Sequence, residues 1–142
     1  MIRILFACVG NSCRSQIAEA FCRALGRDVE CASAGSKPAA ALQPDTIAVM
    51  REVGIDLTQA QPKSFKDLPD LKYDYLVTMG CEVDCPFLPG VKVVQWGIPD
   101  PYGKGIDEYR RVRELIRSEV TNLLAHLGHL ASNRPDSHQP LA

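Results

Sequence analysis

Nothing in this sequence approaches the roughly 18 consecutive apolar residues of a membrane-spanning helix, so no membrane segment is expected. An excess of one charge is also missing: lysine and arginine total 16, aspartate and glutamate 17, leaving −1. So even a balance offers no bulk field for nucleic acid or an anionic membrane, and neither is expected as a partner. Histidines are scarce, and His126, His129 and His138 all lie near the C-terminus, away from the cysteines. With no second paired-ligand motif either, a zinc site is not expected, and no metal or cofactor is assigned. The N-terminal Met1-Ile-Arg-Ile-Leu-Phe6 is too short and too early-charged for a signal peptide, which points to a cytoplasmic protein. Repeats and breaks in composition are absent too. The expected organisation is one catalytic α/β domain over residues 1–130, then a mobile tail over 131–142 that lacks periodicity.

Cysteines are plentiful by comparison, at positions 8, 13, 22, 31, 81 and 85. In a secreted chain below about 100 residues an even count suggests a disulfide framework. This chain has 142 residues, 46% of them apolar, and no export signal. Catalytic or redox thiols in a reducing compartment are the better reading.

Strand-like and helix-like segments alternate. Residues 2–8 read as a buried strand, and a helix follows from Ser15 to Leu25, with Ile17, Ala20, Phe21 and Ala24 at helical spacing. Ser15 is the expected N-cap and Gly26 the C-cap. Residues 29–33 form a second strand ending at Gly35, and a second helix starts near Pro44-Asp45, carries Ile47, Met50 and Val53 inward, and ends at Gly54. Residues 61–72 read as an irregular connection with one short helical turn. Strands over 73–79 and 91–95 precede a last helix over 106–127. Its expected core face is Tyr109, Val112, Leu115, Ile116, Val120, Leu123, Leu124 and Leu127. Arg110, Arg111, Arg113 and Arg117 make either a binding patch or a solvated face, and the interspersed Glu108, Glu114 and Glu119 favour the second. Strands separated by helices imply a three-layer α/β sandwich with a parallel four-stranded sheet and right-handed crossovers. Ligands in such folds gather beyond the carboxyl ends of the strands, where Cys8 lies.

The stretch Cys8-Val-Gly-Asn-Ser-Cys-Arg14-Ser15 joins the first strand to the first helix. A loop so placed aims backbone N–H groups and the positive end of a helix dipole into one hollow, which suits a tetrahedral oxyanion. Val9, Gly10, Asn11, Ser12, Cys13, Arg14 and Ser15 are the expected oxyanion-binding residues. The same field favours a thiolate, making Cys8 the candidate nucleophile. Arg14 offers a planar fork of donors for two anion oxygens. Gly10 permits positive φ, and Asn11 tolerates it while offering an amide to pin the loop.

Two further segments fall near this edge. Trp96-Gly-Ile-Pro-Asp100-Pro101-Tyr-Gly103 follows the fourth strand, and Asp100 is open to two readings: general acid, or simply part of a turn. Met79-Gly-Cys81-Glu-Val-Asp-Cys85-Pro86 follows the third strand and sets two thiols on the edge that carries Cys8. Cys13 either packs or closes a reversible disulfide with Cys8. Cys22 and Cys31 read as small core hydrophobes.

The run Cys8 to Glu19 resembles the active-site loop of the low-molecular-weight protein-tyrosine phosphatase superfamily. Within it, the sequence is most similar to arsenate reductases of the thioredoxin-coupled type. The resemblance spans roughly residues 2–127, through Ser33-Ala-Gly35, Pro44, Val53 to Leu57, Val77 to Met79, Cys85-Pro86, Trp96-Gly97, Asp100-Pro101 and Arg111 to Arg113. Gln16 stands where the tyrosine phosphatases usually carry proline. The resemblance implies Cys8 as nucleophile, Arg14 and Ser15 as oxyanion and thiolate partners, Asp100 as acid, and Cys81 and Cys85 as relay thiols. It also implies arsenate as substrate, phosphate as a competing oxyanion and thioredoxin as electron donor. Two features depart from the pattern: the relay cysteines are more closely spaced, and Tyr102-Gly103 is similar to the phosphatase branch. Asn11, Glu19 and Ser33 match in part a potassium site of some members, whose remaining carboxylate has no counterpart here, and no ion is expected.

Electron counting favours the reductase independently. Reducing As(V) to As(III) takes two electrons, and closing one disulfide from two thiols releases two. The alternative, a low-molecular-weight protein-tyrosine phosphatase that hydrolyses phosphomonoesters through a phosphocysteine, moves no electrons and needs no relay thiols.

Overall fold

The computed structural model describes residues 1–69, 72–80 and 88–131. Its elements run β1 (Ile2–Cys8), α1 (Arg14–Leu25), β2 (Val29–Gly35), α2 (Pro44–Glu52), a short 3-10 turn (Phe65–Asp67), β3 (Tyr75–Thr78), β4 (Lys92–Gln95) and α3 (Ile106–Leu127). The four strands lie in the order β2-β1-β3-β4, every pair parallel. β1 is central, and its last five residues are buried, as the apolar run Ile-Leu-Phe-Ala-Cys requires of a strand covered on both faces.

Alternation along β1 divides the core. Ile4, Phe6 and Cys8 face Ile17, Phe21 and Cys22 of α1, Val49 and Met50 of α2, and Val112, Ile116, Val120 and Leu124 of α3. Leu5 and Ala7 face the other way with Ala34 and Leu76, under Phe65, Leu68, Tyr73, Leu88 and Val91. Helices therefore cover one face and the 3-10 turn with its neighbours the other, which is the layered α/β arrangement expected. Because the strands are parallel, all their carboxyl ends share one edge. Cys8 lies opposite Gly35, Ala7 opposite Thr78, and Thr78 opposite Gln95. Among the described residues no helix is long and apolar enough to cross a membrane.

Several local expectations are corrected. Leu115 is 38% exposed rather than on the core face, because the buried stripe of α3 runs through Tyr109, Val112, Ile116, Val120 and Leu124, and Leu115 lies about 100° round the helix from Ile116. Ser15 does not cap α1: the helix begins one residue earlier, Cys13 holds the cap position, and no side chain bonds the first-turn N–H groups. Gly26 ends α1 with extended rather than left-handed backbone. What requires glycine there is space, since a Cβ would fall 2.4 Å from Val29 Cγ1. Strands β3 and β4 are shorter than expected. Past α3, Arg27 N donates to His129 O (2.7 Å) and Ala131 N to Leu25 O (2.7 Å), tying the end of the helix to the α1–β2 turn. The rest of the expected tail lies outside the described residues.

Cys22 and Cys31 are buried as expected but are joined in a disulfide that ties α1 to β2. The last turns of α1 lie over the start of β2, which brings the two Cα atoms to 6.2 Å, within bridging range.

Candidate active site

Cys8 closes β1 with only 3% of its surface exposed, and the chain then wraps through Val9–Cys13 into α1. Gly35, directly across on β2, makes that wrap possible: a Cβ there would lie 2.5 Å from Val9 O and 2.9 Å from Asn11 N. The positive φ that the loop needs falls on Asn11 (φ 50°), not on Gly10. The loop's carbonyls turn outward. Lys37 N donates to Val9 O (2.9 Å), Ala39 N to Gly10 O (2.9 Å) and Gln43 N to Ser12 O (3.1 Å). Gln43 also donates from Nε2 to Ser12 Oγ (3.2 Å) and accepts from the Tyr109 hydroxyl. Among the described residues, the N–H groups of residues 9–13 donate to no carbonyl or side chain. With no cap and no acidic side chain in its first turn, α1 adds its positive end to the same hollow.

A chain of hydrogen bonds leads to the sulfur. Lys63 N donates to Asn11 Oδ1 (2.8 Å), which fixes that atom as the oxygen because a backbone N–H can only donate. Asn11 Nδ2 therefore faces Ser15 Oγ and donates to it (2.7 Å). Ser15 Oγ lies 2.8 Å from Cys8 Sγ, and with a lone pair engaged by Asn11 it has its proton available for the sulfur. That orientation points a proton donor at the sulfur.

Arg14 is buried, and its Nη1 donates to Met79 O (3.2 Å) and Ile98 O (3.0 Å). Those carbonyls belong to the segments leaving β3 and β4, so one guanidinium spans both halves of the strand edge. Trp96 N donates to Thr78 O (2.8 Å), and the Trp96 ring packs 5.9 Å from Phe6, which holds the second segment down. Asp100 beyond it is exposed, and its Oδ1 accepts from Tyr102 N (3.1 Å). Lys104 N closes a turn on Pro101 O (3.0 Å) with Gly103 at φ 77°. The turn reading of Asp100 is thus met.

Burial pushes the Cys13 thiol up to about 12, with the neighbouring Cys8 and Asp100 adding to the rise. Cys13 therefore stays protonated and packs, alongside Phe6 and Ile17 in the core. Cys81 and Cys85 lie outside the described residues. Met79, two residues before Cys81, donates from its N–H to Ala7 O (3.0 Å), next to Cys8. Glu19 lies behind the loop, bonded by Ser33 Oγ (2.5 Å) and paired with Arg23 (2.7 Å) and Lys63 (3.7 Å). Two cations already answer its charge, so these residues do not fit a potassium ion. The arginines of α3 are likewise paired, Arg110 and Arg113 with Glu52 and Arg111 with Glu108, but they are not one solvated face: the Arg113 side chain is 12% exposed and donates to Val49 O (3.0 Å). Reading the sequence missed Gly35, Gln43 and Lys63, which act through backbone proximity or distant pairing and leave no local motif.

The pattern of the low molecular weight phosphotyrosine protein phosphatase family matches residues 3–133, from within β1 to beyond the end of α3. The chain belongs to this family. Within the family it is similar to arsenate reductases. The arsenate reductase of Staphylococcus aureus (strain Newman) is 40% identical over 124 residues, 84% of this chain and 93% of that protein. The glutaredoxin arsenate reductase of Synechocystis is 31% identical over 130 residues, 89% of this chain and 99% of that one. Among solved structures, a thioredoxin-dependent arsenate reductase of Corynebacterium glutamicum is 33% identical with a TM-score of 0.72, covering 90% of this chain and 62% of that one.

Proposed function

We propose that this protein is a cytoplasmic enzyme that reduces arsenate to arsenite, serving arsenic detoxification, with residues 1–130 as its catalytic domain. One observation carries the reading: Cys8 sits beside a Ser15 hydroxyl, at the mouth of an uncapped helix, after which the N–H groups of residues 9–13 bond no carbonyl or side chain among the described residues. The anion would be held by the N–H groups of residues 9–13 and by Arg14 and Ser15. Cys8 attacks arsenic, and Asp100 protonates the departing oxygen as water. Cys81 then attacks Cys8 Sγ. The S–As bond breaks with its electron pair going to arsenic, arsenite leaves, and a Cys8–Cys81 disulfide remains. Cys85 attacks Cys81, freeing Cys8, and a thioredoxin dithiol returns the Cys81–Cys85 disulfide to thiols. Similarity to the arsenate reductases supports the relay over hydrolysis.

The test is arsenate-dependent NADPH consumption with thioredoxin and thioredoxin reductase, run beside glutaredoxin with glutathione. Turnover with thioredoxin supports the reading. Turnover with glutaredoxin alone would replace the donor, as would suit the Synechocystis relative's name. Phosphomonoester hydrolysis without arsenate turnover in either system would make the protein a phosphatase.

A further inference from the structure

Gln16 is buried in the first turn of α1, and nothing in the chemistry above uses it. Its terminal Nε2 makes two hydrogen bonds, to Asn11 Oδ1 (2.9 Å) and to Gln61 O (3.0 Å). The Gln61 carbonyl can only accept, so the group facing it must be the NH2 end of the amide. Both N–H bonds of that end are therefore committed. One reaches the loop residue with the left-handed backbone; the other reaches the segment whose Lys63 N–H bonds the same Asn11 oxygen.

From this geometry we infer that Gln16 is a positioning residue for Cys8, acting through Asn11 and Ser15. Asn11 Oδ1 receives two donors, the Gln16 amide and the Lys63 backbone. Two donors on one atom oppose rotation of the Asn11 amide. Rotated by half a turn, its NH2 would confront both donors and its oxygen would face Ser15. Ser15 would then turn its proton to Asn11 and away from Cys8. The bond to Gln61 O holds residues 61–63 where Lys63 N–H can reach, so Gln16 supports both donors. Gly35 N donates to Lys63 O (2.8 Å), anchoring that segment to the end of β2 beside Cys8. No side-chain substitution removes the Lys63 backbone bond. Gln16 is consequently the place where the orientation of Asn11 can be tested.

The inference rests on Cys8 being the nucleophile, and it holds for arsenate reduction and phosphate-ester hydrolysis alike. The test is the pH dependence of Cys8 alkylation by iodoacetamide, read by peptide mass mapping on the full chain. Gln16→Leu removes both donors at similar size, and Gln16→Met removes them on an unbranched, uncharged side chain. Each should move the profile's midpoint to higher pH and slow alkylation at pH 7 about threefold to tenfold, the scale of one neutral hydrogen bond. If Gln16 acts through Asn11, adding Gln16→Leu to Asn11→Ala should shift the midpoint no further than Asn11→Ala alone. Val120→Ala serves as the structural comparator: it opens the core under α3, away from the loop, and should lower thermal stability without moving the midpoint. An unmoved midpoint in both Gln16 variants, or fully additive shifts in the double variant, would overturn the inference. Failure of the wild-type protein to alkylate at Cys8 at all would instead sink the assignment of Cys8 as nucleophile.

Discussion

Ser15 Oγ lies 2.8 Å from Cys8 Sγ, and it is the only hydroxyl bonded to that sulfur among the described residues. Ser15→Ala should therefore slow both arsenate turnover and Cys8 alkylation at neutral pH by roughly one to two orders of magnitude, the range for a hydrogen bond to a charged group. Stopped-flow alkylation against pH separates this from lost anion binding. An unchanged profile would mean that the serine proton points elsewhere.

Arg14 bonds the carbonyls of Met79 and Ile98, besides its proposed part in holding the anion. An ammonium cannot reproduce a planar fork. Arg14→Lys should lower kcat/KM for arsenate roughly a hundredfold, because charge-assisted contacts and two interior carbonyls lose their partner together. Weakened inhibition by phosphate should accompany the loss. Wild-type kcat/KM in this variant would remove Arg14 from the site.

The proposed relay would divide the chemistry in two. Cys85→Ser should release about one arsenite per enzyme and then stall with Cys8 bound to Cys81, whereas Cys81→Ser should release none. Aryl-phosphate hydrolysis, expected as a weak by-product of the shared anion loop, should survive Cys81→Ser, since water resolves a phosphocysteine. Mass mapping after stoichiometric arsenate decides the order, and a Cys8–Cys13 bond would contradict it.

Packing of α3 gives a contrast between adjacent residues. Ile116 is fully buried and Leu115 is 38% exposed. Ile116→Ala should cost about 2–5 kcal/mol of stability, and Leu115→Ser no more than about 0.5 kcal/mol. Urea denaturation of the two variants tests the corrected stripe. Equal losses would restore Leu115 to the core.

Glu52 is held down at about 2 by hydrogen bonds from Arg110 and Arg113. A carboxyl lowered in the folded state contributes stability above its unfolded value near 4.3 and loses it as the pH falls toward the folded one. The urea midpoint of the wild type should thus drop between about pH 4.5 and 2 more steeply than that of Glu52→Gln. The difference should shrink in high salt, because the group is exposed. Parallel curves would show that this pairing does not bias folding.

Much of the fold was legible because its signals are local. The apolar β1, the helical spacing of Ile17 and Phe21, and the glycines near helix ends all act within a few residues. The anion loop was legible for the same reason. Ser15 misled because its hydroxyl suits a cap equally well, and only the approach of Cys8 and Asn11 decides where it bonds. Leu115 misled because an apolar residue one step off a stripe looks like a member of it. Cys22 and Cys31 have the burial expected of them, but their bond depends on how α1 lies over β2, a tertiary distance that spacing along the chain does not specify.

That bond has an operational consequence in any assay run with thiol reductants. Cys22 is fully buried and Cys31 is 9% exposed, so in the folded molecule the Cys22 sulfur offers no path for an attacking thiolate and the Cys31 side a narrow one. In a reducing bath, the molecules that lose the bond most readily are those in which the end of α1 has lifted from β2. The rate at which the linked peptide pair disappears is therefore a clock for local opening at that seam. It can be read in the same samples and by the same mass analysis that follow turnover at Cys8.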